Sequence, residues 1–273
     1  MYTLLRHDAP AMRDYHKAKR LLWDPRDVDL SADSAEWPAL TQEEQDLILR
    51  LCSVFVAGEE AVTADLAPLM LALRQGGGSL EEQMFVTTQL FEEAKHVEMF
   101  DRYFADVFRS PVNTDQYYTD SYRRIFFEEL PHALDRLLTD PSPRAQVVAV
   151  ATYHMIVEGV LAETGYYAAQ RALQASGRLP GLVRAMQLIQ RDEARHIAFG
   201  ISLLHRLVSD DVALWDVLIE RMNELLPVAL EIIADAFTPY GDQIPFNVNP
   251  VEMVEYGATQ FNHRLNALER VRA

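Results

Sequence analysis

Two short motifs carry the chemistry available to this sequence. Glu93-Ala94-Lys95-His96 and Glu193-Ala194-Arg195-His196 are both Glu-x-x-His, set 100 positions apart. Each residue of an α-helix advances about 100°, so positions i and i+3 share a face, and a carboxylate and an imidazole placed there can grip one ion together. A single such motif on an acidic helix carries little information. Two of them, each on the second helix of a helix pair, point to a paired metal site. The first helix of each pair should then add one more inward-facing glutamate.

In the second pair that residue is Glu158, which closes the apolar run Tyr153-His154-Met155-Ile156-Val157. A charge there is costly to bury unless it is paired or metal-bound. Glu163, five residues further on, faces elsewhere. The first pair offers two adjacent choices. Glu59 shares its face with Phe55, Val62 and Leu66, whereas Glu60 lies with Val56, Thr63 and Ala67. The larger apolar stripe goes with Glu59, which is placed inward with Glu60 as the alternative. Glu59, Glu93, His96, Glu158, Glu193 and His196 form a ligand set for two ions, and mixed carboxylate and imidazole donors suit iron and manganese rather than a soft metal.

Helical elements must hold these residues. Thr41, with Glu44 three positions on, reads as a capping box opening a helix that runs to about Arg74, is kinked by Pro68 and stops at Gly76-Gly77-Gly78. A second helix spans about Leu80 to Phe108, and the short loop between the two makes them antiparallel neighbours. A connecting helix lies near Asp120 to Leu138. The third and fourth long helices are expected over Arg144 to Ser176 and Leu182 to Val208, and two more near Asp211 to Phe237 and Pro250 to Val271. No stretch alternates with the period of a strand. The expectation is an all-α chain, residues 1–273 forming one domain with a four-helix bundle core and additional helices.

Composition narrows the function classes. The 273 residues carry 41 acidic and 25 basic side chains, a net charge of -16, which offers no electrostatic footprint for nucleic acid or anionic lipid. One cysteine, Cys52, excludes an internal disulfide framework. The N-terminus lacks an apolar signal region, and the most apolar stretch, Val147 to Val157, is read as a buried core helix too short to span a bilayer. A cytoplasmic protein is expected.

A Glu from each of two helices and Glu-x-x-His from each of the other two is the arrangement of ferritin-like dimetal carboxylate bundles. Within that superfamily the chain resembles the R2-like ligand-binding oxidases, a manganese/iron branch related to the small subunit of ribonucleotide reductase. The resemblance runs from about Lys17 to Leu268 and rests on Ala57-Gly58-Glu59-Glu60-Ala61-Val62-Thr63, Glu93 to Phe100, Tyr153 to Gly159, and Asp192-Glu193-x-Arg195-His196.

The resemblance implies one manganese and one iron per chain, held by Glu59, Glu93, His96, Glu158, Glu193 and His196, and an O2-dependent two-electron oxidase. It implies a bound long-chain fatty acid or similar apolar carboxylate, and an ether crosslink whose matching positions are Val62 and Tyr153. Asp192 matches the carboxylate that orients the other motif's histidine, here His96, and related bundles imply a homodimer. The alternative function is the radical-generating reductase subunit. That subunit usually carries a tyrosine four residues after the first motif's histidine, where this chain has Phe100, and it docks its partner through an acidic, aromatic tail, where His263 to Ala273 reads as a basic helix end. Metal storage, or a metal-free scaffold, is the reading from a third class.

Overall fold

A computed structural model describes residues 4–270. Helix α1 (Pro10–Arg20) and the short α2 (Ser31–Glu36) precede α3 (Gln42–Asp65), α4 (Ala67–Gln75) and α5 (Leu80–Tyr103). Then come α6 (Asp120–Arg123), α7 (Leu130–Asp135), α8 (Pro143–Val150), α9 (Glu163–Ser176), α10 (Pro180–Asp210), α11 (Leu214–Asp235) and α12 (Pro250–Glu269). No strand occurs among the described residues. The chain is all-α, a ferritin-like four-helix bundle built by α3, α5, the continuous helix through α8 and α9, and α10, with further helices packed around it.

Local sequence sets the helix ends. The Thr41–Glu44 capping box forms, each side chain bonding the other residue's backbone N–H, and Ser79 with Glu82 does the same at the start of α5. Pro68 has no N–H to give, and the expected kink appears as a break at Leu66 between α3 and α4. Gly77 takes φ +82° and the Gly78 N–H reaches back to the Leu73 carbonyl at 2.7 Å, ending α4. The last helix ends at Glu269; its expected terminus, Val271, lies outside the described residues. Helices α1 and α2 have no counterpart in the sequence reading. They matter because α1 packs on α5 and α10, the two motif helices, and because Asp33 of α2 caps α10. Its carboxylate accepts from the Gly181 N–H at 2.7 Å, the Leu182 N–H at 2.8 Å and the Tyr103 hydroxyl at 2.9 Å. No local side chain caps that helix.

The third bundle helix departs from expectation in its winding. Between α8 and α9 the chain stays helical but winds as a π-helix over Ala151–Ala162. An i→i+5 ladder stacks residues five apart, so Tyr153 and Glu158 come onto one face, where α-helical winding would set them about 140° apart. This helix is also long and apolar enough, by length and composition, to cross a membrane, contrary to the reading of its apolar stretch as too short; 83% of its apolar window is buried inside the bundle, which makes it the core helix. Close approach of α10 helps to hold it. A side chain at Gly200 would meet His154 Cβ at 2.4 Å.

Candidate metal centre

All six expected donors converge in the middle of the bundle. Glu59 of α3, Glu93 and His96 of α5, Glu158 of the π segment, and Glu193 and His196 of α10 are all buried. They fall into two overlapping groups, Glu59, Glu93, His96 and Glu193, and Glu93, Glu158, Glu193 and His196, whose donor atoms in each group lie within 4.8 Å of one another. Glu60 points outward and is exposed. Glu163 is half-buried and is held by the Gln190 amide at 3.2 Å.

The geometry is close to two-fold. His96 Nδ1 lies 3.4 Å from Glu59 Oε2, 3.6 Å from Glu93 Oε2 and 3.2 Å from Glu193 Oε1. His196 Nδ1 lies 2.9 Å from Glu93 Oε1, 3.3 Å from Glu158 Oε1 and 3.3 Å from Glu193 Oε2. Glu93 and Glu193 therefore offer one oxygen to each group, as bridging carboxylates do, while Glu59 and Glu158 sit at the two ends.

Electrostatics show what this arrangement lacks. Burial drives Glu59 up to about 8 although His96 pulls the other way, and burial together with Glu193 drives Glu158 well above the usual carboxylate range. Burial alone would push both histidines down. Instead the carboxylates beside them hold His96 and His196 well above the usual imidazole value. The site calls for positive charge, and imidazolium protons are the substitutes within its own residues. His96 Nδ1 and Glu158 Oε2 are buried without a hydrogen-bond partner, an arrangement that costs free energy unless a cation completes it. The residues present thus fit two hard or borderline divalent ions.

The outer face of each histidine is held as well. His96 Nε2 meets Asp192 Oδ2 at 3.3 Å, the contact expected for Asp192. Asp192 also accepts from Lys95 Nζ at 2.6 Å, from Trp23 Nε1 at 2.6 Å and from Arg195 at 2.6 Å. His96 and Lys95 keep it ionised against burial. The sequence reading missed its counterpart, Glu92, whose Oε2 lies 2.9 Å from His196 Nε2 and whose Oε1 accepts from Arg195 at 2.5 Å. Glu92 was legible, because both motifs read acid-Glu-Ala-cation-His: Glu92 to His96 and Asp192 to His196. Gln89, fully buried one turn before Glu93, was missed too. Its amide contacts Tyr153, His154 and Glu158.

Val62 and Tyr153 are both buried and both line a cavity of about 170 Å³ that starts at Glu59, Glu93, Glu158 and Glu193. The Tyr153 hydroxyl donates to Glu93 Oε1 at 2.7 Å. The rest of the lining is mostly apolar and includes Ile48, Leu51, Val54, Phe55, Phe126, Val157, Leu161, Ile233 and Met253. Such a space accepts an apolar chain whose polar end meets the cluster.

The family model for the small chain of ribonucleotide reductase matches residues 6–270. Among solved structures, an R2-like ligand-binding oxidase with a valine-to-isoleucine change and an aerobically reconstituted Mn/Fe cofactor aligns at TM-score 0.92 and 37% identity, covering 97% of this chain and 95% of that one. An R2-like ligand-binding oxidase with aerobically reconstituted Mn/Fe cofactor after a long soak gives TM-score 0.92 at 37% identity, over 97% and 94%. A valine-to-leucine variant with anaerobically reconstituted Mn/Fe cofactor gives 0.90 at 38%, over 97% and 95%.

Proposed function

The chain belongs to the ribonucleotide reductase small-chain family, with its similarity to the R2-like ligand-binding oxidases, and from that premise we propose that it is an O2-dependent two-electron oxidase with one manganese and one iron ion. The observation that carries this reading is the joining of two bridged donor groups to an apolar cavity that Val62 and Tyr153 also line. Glu59, Glu93, His96, Glu158, Glu193 and His196 are the proposed ligands, with Asp192 orienting His96. The ions, when bound, supply the redox chemistry with O2.

The residues do the rest. The apolar walls exclude water from the reacting end of the cavity. The cavity takes a long-chain fatty acid or similar apolar carboxylate, headgroup toward the cluster. Glu93 Oε1 accepts the Tyr153 hydroxyl proton. Coupling of Val62 with Tyr153 breaks one Cβ–H and one O–H bond and forms one Cβ–O bond, and the two electrons and two protons pass to O2. The reading also includes a cytoplasmic homodimer, checked by light scattering of the loaded protein.

Loading with manganese and iron in air, then digesting under denaturing conditions, should give a joined Val62/Tyr153 peptide pair lighter by two hydrogens. A fully loaded, oxygen-exposed protein with both peptides intact would overturn the crosslinking reading. The reductase alternative differs at Phe100, which is buried and stacked on Phe55, ring centroids 5.6 Å apart, so no phenol stands at that position. It predicts restored nucleotide reduction with a catalytic partner chain.

A further inference from the structure

We infer that Gln89 is a positioning residue for the coupling of Val62 with Tyr153, and that His154 sets the direction of its amide; this rests on the crosslinking reading above. Gln89 is fully buried, on the same face of α5 as Glu93. Its Nε2 lies 3.0 Å from the Tyr153 hydroxyl oxygen and 3.3 Å from Glu158 Oε1. His154 Nε2 lies 3.2 Å from Gln89 Nε2 and 3.4 Å from Gln89 Oε1.

Hydrogen-bond accounting selects one arrangement. His154 Nδ1 is buried without a partner. A proton on that atom would be an orphaned N–H, which is rarer and costlier than an unused acceptor. The proton therefore sits on Nε2 and is donated to Gln89 Oε1. That leaves the Gln89 amide nitrogen facing Tyr153 and Glu158, where it can donate to both. With Glu158 ionised, as a bound cation would hold it, the reversed amide would set its oxygen against Glu158 Oε1, two acceptors with no proton between them. The neutral, inward-facing histidine thus works as a lock on the amide.

The consequence falls on Tyr153. Its oxygen accepts from Gln89 while its proton goes to Glu93 Oε1. With both of those directions taken, the oxygen's remaining lone pair is the one left for Val62. When the O–H and Cβ–H bonds break and the Cβ–O bond forms, the hydroxyl proton leaves by way of Glu93, and the two electrons and two protons released pass to O2. The ether oxygen still accepts from Gln89, so this contact guides the atom throughout.

The test uses Gln89→Met, which keeps the side chain's length and removes its hydrogen bonds, and the pair His154→Phe and His154→Gln. The crosslinked fraction is followed against time by denaturing mass spectrometry at equal manganese and iron content. Gln89→Met and His154→Phe should slow crosslinking at least tenfold with both ions still bound, and His154→Gln, which keeps an N–H donor, should recover most of the rate. In the metal-free wild-type protein, 15N NMR should show His154 protonated on Nε2 and bare on Nδ1. Wild-type crosslinking rates in Gln89→Met, or a proton on Nδ1, overturn the inference. If the loaded wild-type protein forms no crosslink, it is the crosslinking reading that fails, and the NMR measurement still decides the His154 lock.

Discussion

Glu92 Oε2 lies 2.9 Å from Nε2 of His196, 104 positions away, and Asp192 repeats the relationship with His96 at 3.3 Å. Each motif's leading acid holds the other motif's histidine, and Arg195 bonds to both acids. This cross-bracing fixes both imidazole planes and leaves Nδ1 of each facing the carboxylates. Groups of this kind typically change metal affinity about 10–100-fold. Glu92→Leu should weaken one of the two ions by that amount and leave the other nearly unchanged, while Glu92→Gln, which keeps an acceptor oxygen, should lose much less. Competitive titration against a chelator measures both ions, and equal affinities in Glu92→Leu and wild type would remove Glu92 from this role.

Protonation should oppose metal. Burial raises Glu59 to about 8, and Glu158, His96 and His196 are raised as well. A group with a raised folded-state pKa adds stability that is complete below its unfolded value, about 4.3 for a glutamate, and is lost as the pH climbs through the folded value. Glu92, Glu93 and Asp192 are lowered, and their contribution is lost only under acid conditions. Between about pH 4.3 and 8 the raised groups dominate. The melting temperature of the metal-free protein should therefore fall as the pH rises across that window, while metal affinity rises, because bound protons must leave first. Calorimetric scans at pH 5 and 8 decide this; a melting temperature that stays level or rises contradicts it.

Much of this was legible because it depends on helical spacing. Glu59 and Glu60 differ by one position, and the apolar stripe of Phe55, Val62 and Leu66 put the right one inside. The caps at Thr41 and the glycine stop after α4 are local, and so they appear in the sequence. Three features are not local. The π winding over Ala151–Ala162 answers to packing by neighbours such as Gly200, and no period in an apolar run reports it. The N-terminal segment that carries α1 and α2 reaches the motif helices through Trp23, between the two, and Asp33 of α2, across more than 140 positions of sequence. Gln89 looks like any polar helix residue until the fold brings Tyr153, His154 and Glu158 around it.

Asp33 provides a further test of long-range support. It accepts from two backbone N–H groups at the start of α10 and from the Tyr103 hydroxyl, all buried. Asp33→Ala leaves these donors unmatched and removes a charge from the positive end of a 31-residue helix. The expected loss is about 2–4 kcal/mol. Metal-loaded Asp33→Ala should melt several degrees lower, with both ions still bound at saturation. Differential scanning calorimetry with metal analysis separates the two effects, and a change under one degree would show that the cap carries little.

The cavity can be tested as a ruler. Leu161 lines the cavity three positions after Glu158, whereas Leu47 lines it twelve positions before Glu59, about 18 Å away along α3. If an apolar acid lies with its headgroup at the cluster, bulk added at these positions should act differently. Leu161→Trp blocks the space beside the headgroup and should abolish retention of fatty acids of any length. Leu47→Trp blocks only the far end, so short acids should bind as in wild type while the longest are lost. Metal content should not change in either variant, because neither residue belongs to the donor groups. Overpacking costs about 1–3 kcal/mol, so binding must be compared below each variant's melting transition. Denaturing extraction and mass spectrometry of acids retained from an equimolar mixture of chain lengths reads the outcome. A length distribution unchanged by Leu47→Trp would mean that the chain does not run along α3. Loss of short and long acids alike would mean that Leu47 lies beside the headgroup instead.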